Sequence, residues 1–210
     1  MGLREIMLFR KETVMKILVI DDNPIHQDAA RRQLDGEHSL VTTDSYGEGQ
    51  TILRGKGDFP EGFFDVVLVD LLMPAYGYPL ADEGLRFAGK EMPVGIFLAL
   101  LAAKEGAKYV AVLTDSDHHS HPASACFDAF NESESRPTPF SVEGAQVLLC
   151  NSRFLVQFDR SVLTPEERAV VKDWNAPRER REELDGRCPR IKRWDLLLKY
   201  LLSPSDDIYS

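Results

Sequence analysis

Little in this sequence is suited to membranes, secretion or disulfide cross-linking. No apolar run approaches the ~18–20 residues that a bilayer-spanning helix needs, and the longest candidate, Val94 to Ala103, is too short. Cysteine is scarce. Cys126, Cys150 and Cys188 are odd in number, far apart and without metal-ligand spacing, so they read as reduced thiols rather than a disulfide framework. Residues 1–14 carry Arg4, Glu5, Arg10, Lys11 and Glu12 but no apolar core or small-residue cleavage site, so a signal peptide is not expected there and a cytoplasmic protein is. Positive charge is in deficit: 25 Lys/Arg face 34 Asp/Glu, and the net charge of −9 argues against broad nucleic-acid binding. The deficit is uneven, because Arg160 to Lys199 holds 11 Lys/Arg against 8 Asp/Glu, leaving the acidity to the first three quarters.

What is present is a core of ordinary size: 43% of the 210 residues are hydrophobic, enough for one enlarged domain or a domain with an appendage. Lys16 to Ile20 is a short β-branched run without alternation, as in a strand buried on both faces, and it stops at Asp21-Asp22-Asn23-Pro24. Asn23 and Pro24 suit a helix start and Gly36 its end. A second strand is expected over Ser39 to Thr43 and a second helix over Tyr46 to Leu53. Phe64 to Val69 is the third strand, ending in Asp70, and a short helix is expected within Asp82 to Gly89. Val94 to Gly106 reads as a well-buried helix, apolar on most faces. Tyr109 to Leu113 is the fourth strand, ending in Thr114-Asp115, Pro122 to Phe130 a helix, and Gln146 to Cys150 the fifth strand. This alternation predicts a doubly wound, five-stranded parallel α/β sheet with right-handed crossovers.

Ligands of open parallel sheets bind at the carboxyl ends of the strands. Asp21, Asp22, Asp70 and Thr114 all stand at such ends, and neighbouring strands would turn them into one crevice. Strand-ending aspartates also cap loops and helices, but three at matching ends beside a hydroxyl favour a cation site. Carboxylates that close repel one another unless a cation compensates, and Mg²⁺ is the hard, oxygen-preferring candidate.

Ile17-Leu18-Val19-Ile20-Asp21-Asp22-Asn23, then Val67-Leu68-Val69-Asp70-Leu71-Leu72-Met73-Pro74, then Val112-Leu113-Thr114, resemble the receiver domains of two-component response regulators. The resemblance covers Met15 to about Arg153. It implies a receiver/flavodoxin-like fold with Asp70 as phosphoryl acceptor and Asp21, Asp22 and Asp70 holding Mg²⁺ together with the Leu72 carbonyl. Thr114 would hydrogen-bond the phosphoryl group, and a histidine kinase or phosphotransfer protein would be the partner. Three positions differ from the family. The place of its lysine after the fifth strand reads Cys150-Asn151-Ser152-Arg153, so a lysine is expected to be missing and Arg153 is the nearby charge. Val147 and Leu148 stand where an aromatic switch residue is usual. Asp115 follows Thr114 where a small residue is usual, and would repel a phosphate or add a metal ligand. An interaction-only pseudo-receiver is therefore the alternative within the family.

Asp115-x-Asp117-His118-His119-x-His121 offers transition-metal ligand types without a metal motif's spacing, and reads as a polar helix entry or as part of a metal-dependent hydrolase in which a histidine is the base. From these features we expect an N-terminal extension over 1–14, a receiver-like domain over 15–153 and a helical extension over 154–210. In the last, Thr164-Pro165-Glu166-Glu167 is a helix start, and Ile191, Trp194, Leu197, Leu198 and Leu201 recur at helical spacing. That helix is expected either to pack back on the sheet or to join a second copy through Trp194. Arg187, Arg190, Lys192 and Arg193 precede it, interleaved upstream with acids, without a helix-turn-helix pattern for DNA.

Overall fold

The computed structural model describes residues 14–55, 63–74, 81–117, 119–131 and 137–203, except the side chains of Arg153 and Phe154. The first half runs β1 (Lys16–Ile20), α1 (Pro24–Leu34), β2 (Ser39–Thr43), α2 (Tyr46–Leu53), β3 (Val66–Val69), β4 (Met73–Pro74), a 3₁₀ helix (Asp82–Phe87), β5 (Glu91–Met92) and α3 (Gly95–Lys104). The second runs β6 (Tyr109–Leu113), α4 (Pro122–Ala125) continued by 3₁₀ residues Cys126–Phe130, β7 (Phe140–Val142), β8 (Ala145–Cys150), α5 (Ser152–Leu155), β9 (Val156–Phe158), α6 (Pro165–Lys172), α7 (Arg178–Gly186), β10 (Arg190–Lys192) and α8 (Trp194–Leu202).

The main sheet has the order β2-β1-β3-β6-β8-β7. Its first five strands are parallel, as the sequence predicts, in the receiver/flavodoxin-like order. The sixth, β7, pairs antiparallel with β8 through a two-residue turn whose Glu143 and Gly144 both take positive φ, 50° and 85°. That turn geometry matches the strand twist. The β-branched runs explain the centre: Ile17 to Ile20 and Val66 to Val69 are fully buried, with helices on both faces. Asn23 caps α1 by accepting a hydrogen bond from Ile25 N at 3.0 Å, and Pro24 takes the first turn.

One face carries α2 and α3 and the other α1 and α8. The α3 helix is less buried than its composition suggests. Phe97 and Leu100 are exposed, and with Phe130, Phe140 and Val142 they border an apolar groove of about 410 Å³.

The segment after β8 has two parts. Leu163, Val171, Leu184 and Cys188 form a small cluster of their own. By contrast, Trp194, Leu197, Leu198 and Leu201 of α8 belong to the main core with Ile17, Val19, Leu68 and Ala111. The helix thus packs back on the sheet, and Trp194 is fully buried rather than available to a second copy. Between these parts the chain leaves and returns at one place: β9 and β10 pair antiparallel, Lys192 opposite Val156, and Arg193 N donates to Leu155 O at 2.7 Å. Residues 156–193 are therefore an insert between the fifth parallel strand and the helix that closes the second face.

Candidate functional site

The winding of the sheet reverses between β1 and β3, so the loops after these strands diverge and leave a crevice. Asp21 lies at the end of β1 and Asp70 at the end of β3, held in register by Asp70 N donating to Ile20 O at 2.8 Å. Asp21 is fixed further: its Oδ1 accepts from Asn23 N at 2.9 Å, and its carbonyl accepts from Gln27 Nε2 at 2.9 Å. Behind Asp70, the first residue of α3 is Gly95, and it has to be glycine. A Cβ built there would lie 2.0 Å from the Asp70 carbonyl oxygen, far inside van der Waals contact.

The cleft at this point has a volume of about 450 Å³. Carboxylate oxygens of Asp21, Asp22 and Asp70 lie within 4.8 Å of one another, so the expected trio is brought together. Asp21 and Asp70 are buried and Asp22 half-buried. Leu72 borders the same cleft. Thr114, fully buried at the end of β6, does not line it, and its hydroxyl accepts a hydrogen bond from Ser116 N at 3.1 Å.

The residue the sequence reading failed to place is Lys192. Its ammonium reaches the carboxylates from the end of the insert, donating to Asp21 Oδ2 at 2.6 Å and to Asp70 Oδ1 at 2.5 Å. The side chain is 1% exposed. No lysine stands directly after the fifth strand, as the sequence indicates, but the pocket is not without one: the cation sits 42 positions beyond Cys150, where β10 returns to the strand ends. The Lys192 ammonium lies over the Trp194 ring, with Nζ 5.4 Å from its centroid. Arg153, the nearer charge in sequence, has a side chain outside the described residues.

Electrostatics follow from this arrangement. Burial pushes the Asp70 carboxyl up to about 7, the Lys192 charge opposing the shift and Asp21 and Asp115 adding to it. Burial also raises Asp22, with Asp21 reinforcing the effect. Burial works against the Lys192 ammonium, but Asp70 and Asp21 more than offset it and its pKa is raised. The lysine is thus a firmly charged group at neutral pH. The three carboxylates suit a hard divalent cation: oxygen donors at adjacent strand ends, with lone pairs beyond those used by Asn23 and Lys192.

Asn23, His26, Glu91, Asp115 and Ser116 also border the cleft, and among them His26 Nε2 lies 3.4 Å from Asp115 Oδ2. Of the histidines singled out in the sequence, His119 and His121 do not border it. His121 caps α4, its Nδ1 accepting from Ala123 N at 3.1 Å, and His119 is exposed. His118 lies outside the described residues. His26 escapes notice in the sequence because Ile25 is the apolar residue of that pair. In the structure Ile25 is 44% exposed and His26 2%.

No family model and no curated protein matches the chain. Among solved structures, the crystal structure of a two-component response regulator of the LuxR family from an Aurantimonas species is similar, with a TM-score of 0.39 and 18% identity. The match covers 92% of this chain and all of that one.

Proposed function

We propose that this protein is a response-regulator-like signalling protein whose Asp70 accepts a phosphoryl group in a Mg²⁺-dependent pocket. The observation that carries this reading is the Lys192 ammonium on Asp70. The carboxylate trio alone makes a cation site, whereas a fixed cation bonded to the acceptor also suits the added phosphoryl oxygens. Asp21, Asp22, Asp70 and the Leu72 carbonyl would hold Mg²⁺, which when bound neutralises charge on the transferring group.

The chain's own residues have defined parts. Asp70 attacks phosphorus in line, and Gly95 leaves its backbone room to sit where it does. Lys192 exchanges one carboxylate partner for a phosphoryl oxygen, keeping its charge compensated throughout. Thr114, one residue from the cleft, turns its hydroxyl from Ser116 N to the phosphoryl group and so reports the modification. A phosphodonor partner, a histidine kinase or phosphotransfer protein, would approach over the open cleft. Because Lys192 ends the insert, its change of partner would be felt through β9 and β10, the surface from which we expect the signal to be read.

Incubation with Mg²⁺ and acetyl phosphate, followed by intact mass spectrometry, tests the reading. Wild type should gain one phosphoryl group and Asp70→Asn none. Absence of an adduct on wild type at high donor concentration would favour the pseudo-receiver, which acts by contact alone.

A further inference from the structure

His26 and Asp115 border the cleft and have no part in accepting a phosphoryl group. Their arrangement is specific. His26 is the third residue of α1, its backbone carbonyl bonded by Trp194 Nε1 at 2.9 Å, and its side chain is 3% exposed. Nε2 faces Asp115, while Nδ1 is buried with no hydrogen-bond partner among the described residues. An N–H without an acceptor would be costlier at that position than a bare nitrogen, so the site favours the arrangement with the proton on Nε2, donating to Asp115 Oδ2. A buried ring is thereby given over to orienting one carboxylate.

Asp115 differs from the buried Asp21 and Asp70, and of the two exposed acids of the cleft it is Asp115 rather than Glu91 that faces the buried His26 ring. The Asp115 side chain is 53% exposed, so it meets cleft water. The His26 hydrogen bond, followed by the more distant Lys192 charge, holds its carboxyl below the usual range despite partial burial. It is an ionised, oriented proton acceptor at the mouth of the cleft that contains Asp70. We propose that Asp115 is the general base that hydrolyses the acyl phosphate on Asp70, with His26 as its positioning residue. The protein would then clear its own signal and, with donor present, turn over as a slow phosphatase.

The step balances simply. A cleft water forms the new O–P bond and gives a proton to Asp115. The P–O bond to Asp70 breaks, and its electron pair returns to the Asp70 carboxylate. Inorganic phosphate leaves, and Asp115 passes the proton to solvent. This inference rests on the Asp70 reading, but the two fail differently.

The test is the lifetime of the adduct. Protein loaded with acetyl phosphate is desalted into Mg²⁺ buffer, and loss of the phosphoryl mass is followed over time. General-base assistance is worth about 100-fold or more, so Asp115→Asn should lengthen the lifetime by that order. His26→Leu should lengthen it in part, and His26→Gln, which keeps an N–H donor, should restore most of the wild-type rate. Beryllofluoride affinity should be unchanged in the two His26 variants and no weaker in Asp115→Asn, which loses a repelling charge, separating hydrolysis from pocket integrity. An Asp115→Asn lifetime equal to or shorter than wild type would overturn the proposal. Failure of wild type to take up any phosphoryl group would overturn it together with the Asp70 reading.

Discussion

Lys192→Met removes the charge at the centre of the cleft and keeps nearly the same stem. The wild-type ammonium serves two buried carboxylates at 2.6 and 2.5 Å. Breaking a buried pair by deleting one partner costs about 3–5 kcal/mol, because the other charge is left uncompensated. Here two are left, so the upper half of that range is expected near pH 8. The loss depends on pH in a defined direction. Asp70 is already raised by burial to about 7, and Lys192 is the influence holding it down, so its pKa climbs further in the variant. A carboxyl raised in the folded state binds more protons folded than unfolded, so stability falls as pH rises from the unfolded value towards the folded one. In wild type that fall is complete near pH 7–8, whereas in the variant it continues above pH 8. The penalty of the substitution should therefore grow by about 1.4 kcal/mol for each pH unit above about 7 in which Asp70 is ionised in wild type but still protonated in the variant, and should level off between pH 7 and 6, where both are protonated. Urea denaturation at pH 6, 7 and 8 in EDTA measures it, and Asp70→Asn in the Lys192→Met background should recover much of the loss. Stability within about 1 kcal/mol of wild type at every pH, against the 3–5 expected for a broken buried pair, would refute the pairing.

Other expectations follow from named contacts. Gly95→Ala places a methyl against the Asp70 carbonyl, so it should cost at least the ~1–3 kcal/mol of core overpacking and abolish phosphoryl uptake even where the protein folds, as read by denaturation and intact mass. Filling the site with Mg²⁺ and beryllofluoride should change hydrogen-exchange protection in 156–193 through Lys192 while leaving β2 unchanged, and an insert with identical protection would contradict the coupling. Thr164→Ala removes a reciprocal capping box with Glu167. It should lower thermal stability by about 1 kcal/mol without altering phosphoryl uptake, since α6 packs in the separate small cluster of the insert.

Much of the architecture was legible because buried parallel strands write an unusual signature. Runs such as Ile17 to Ile20 and Val66 to Val69 are β-branched without alternation, and each stops at an aspartate, so strand ends and carboxylates could be placed together. What was not legible depends on contacts distant in sequence. Lys192 lies on a three-residue strand paired with an equally short one, too brief for a periodic pattern. The helical spacing of Trp194, Leu197 and Leu201 also takes in Ile191, which the structure places on β10 instead. The signal available was a single lysine between Ile191 and Trp194, both of which are buried. Edge strand β7 is only three residues long, Phe140-Ser141-Val142 directly after a polar stretch, and only the Glu143-Gly144 turn marked it. Phe97 and Leu100 show the converse: an apolar helix is not thereby a covered one.

The central claim is that Asp70 and Lys192 together form a phosphoryl-binding site in the carboxylate cleft. Calorimetric titration of Mg²⁺ and beryllofluoride into wild type, Asp70→Asn and Lys192→Met tests it most directly. Wild type should show one site, Asp70→Asn none, and Lys192→Met an affinity reduced at least about tenfold, the equivalent of one lost charge-assisted hydrogen bond of about 1.5 kcal/mol. No binding to wild type, or equal binding to all three proteins, would contradict it.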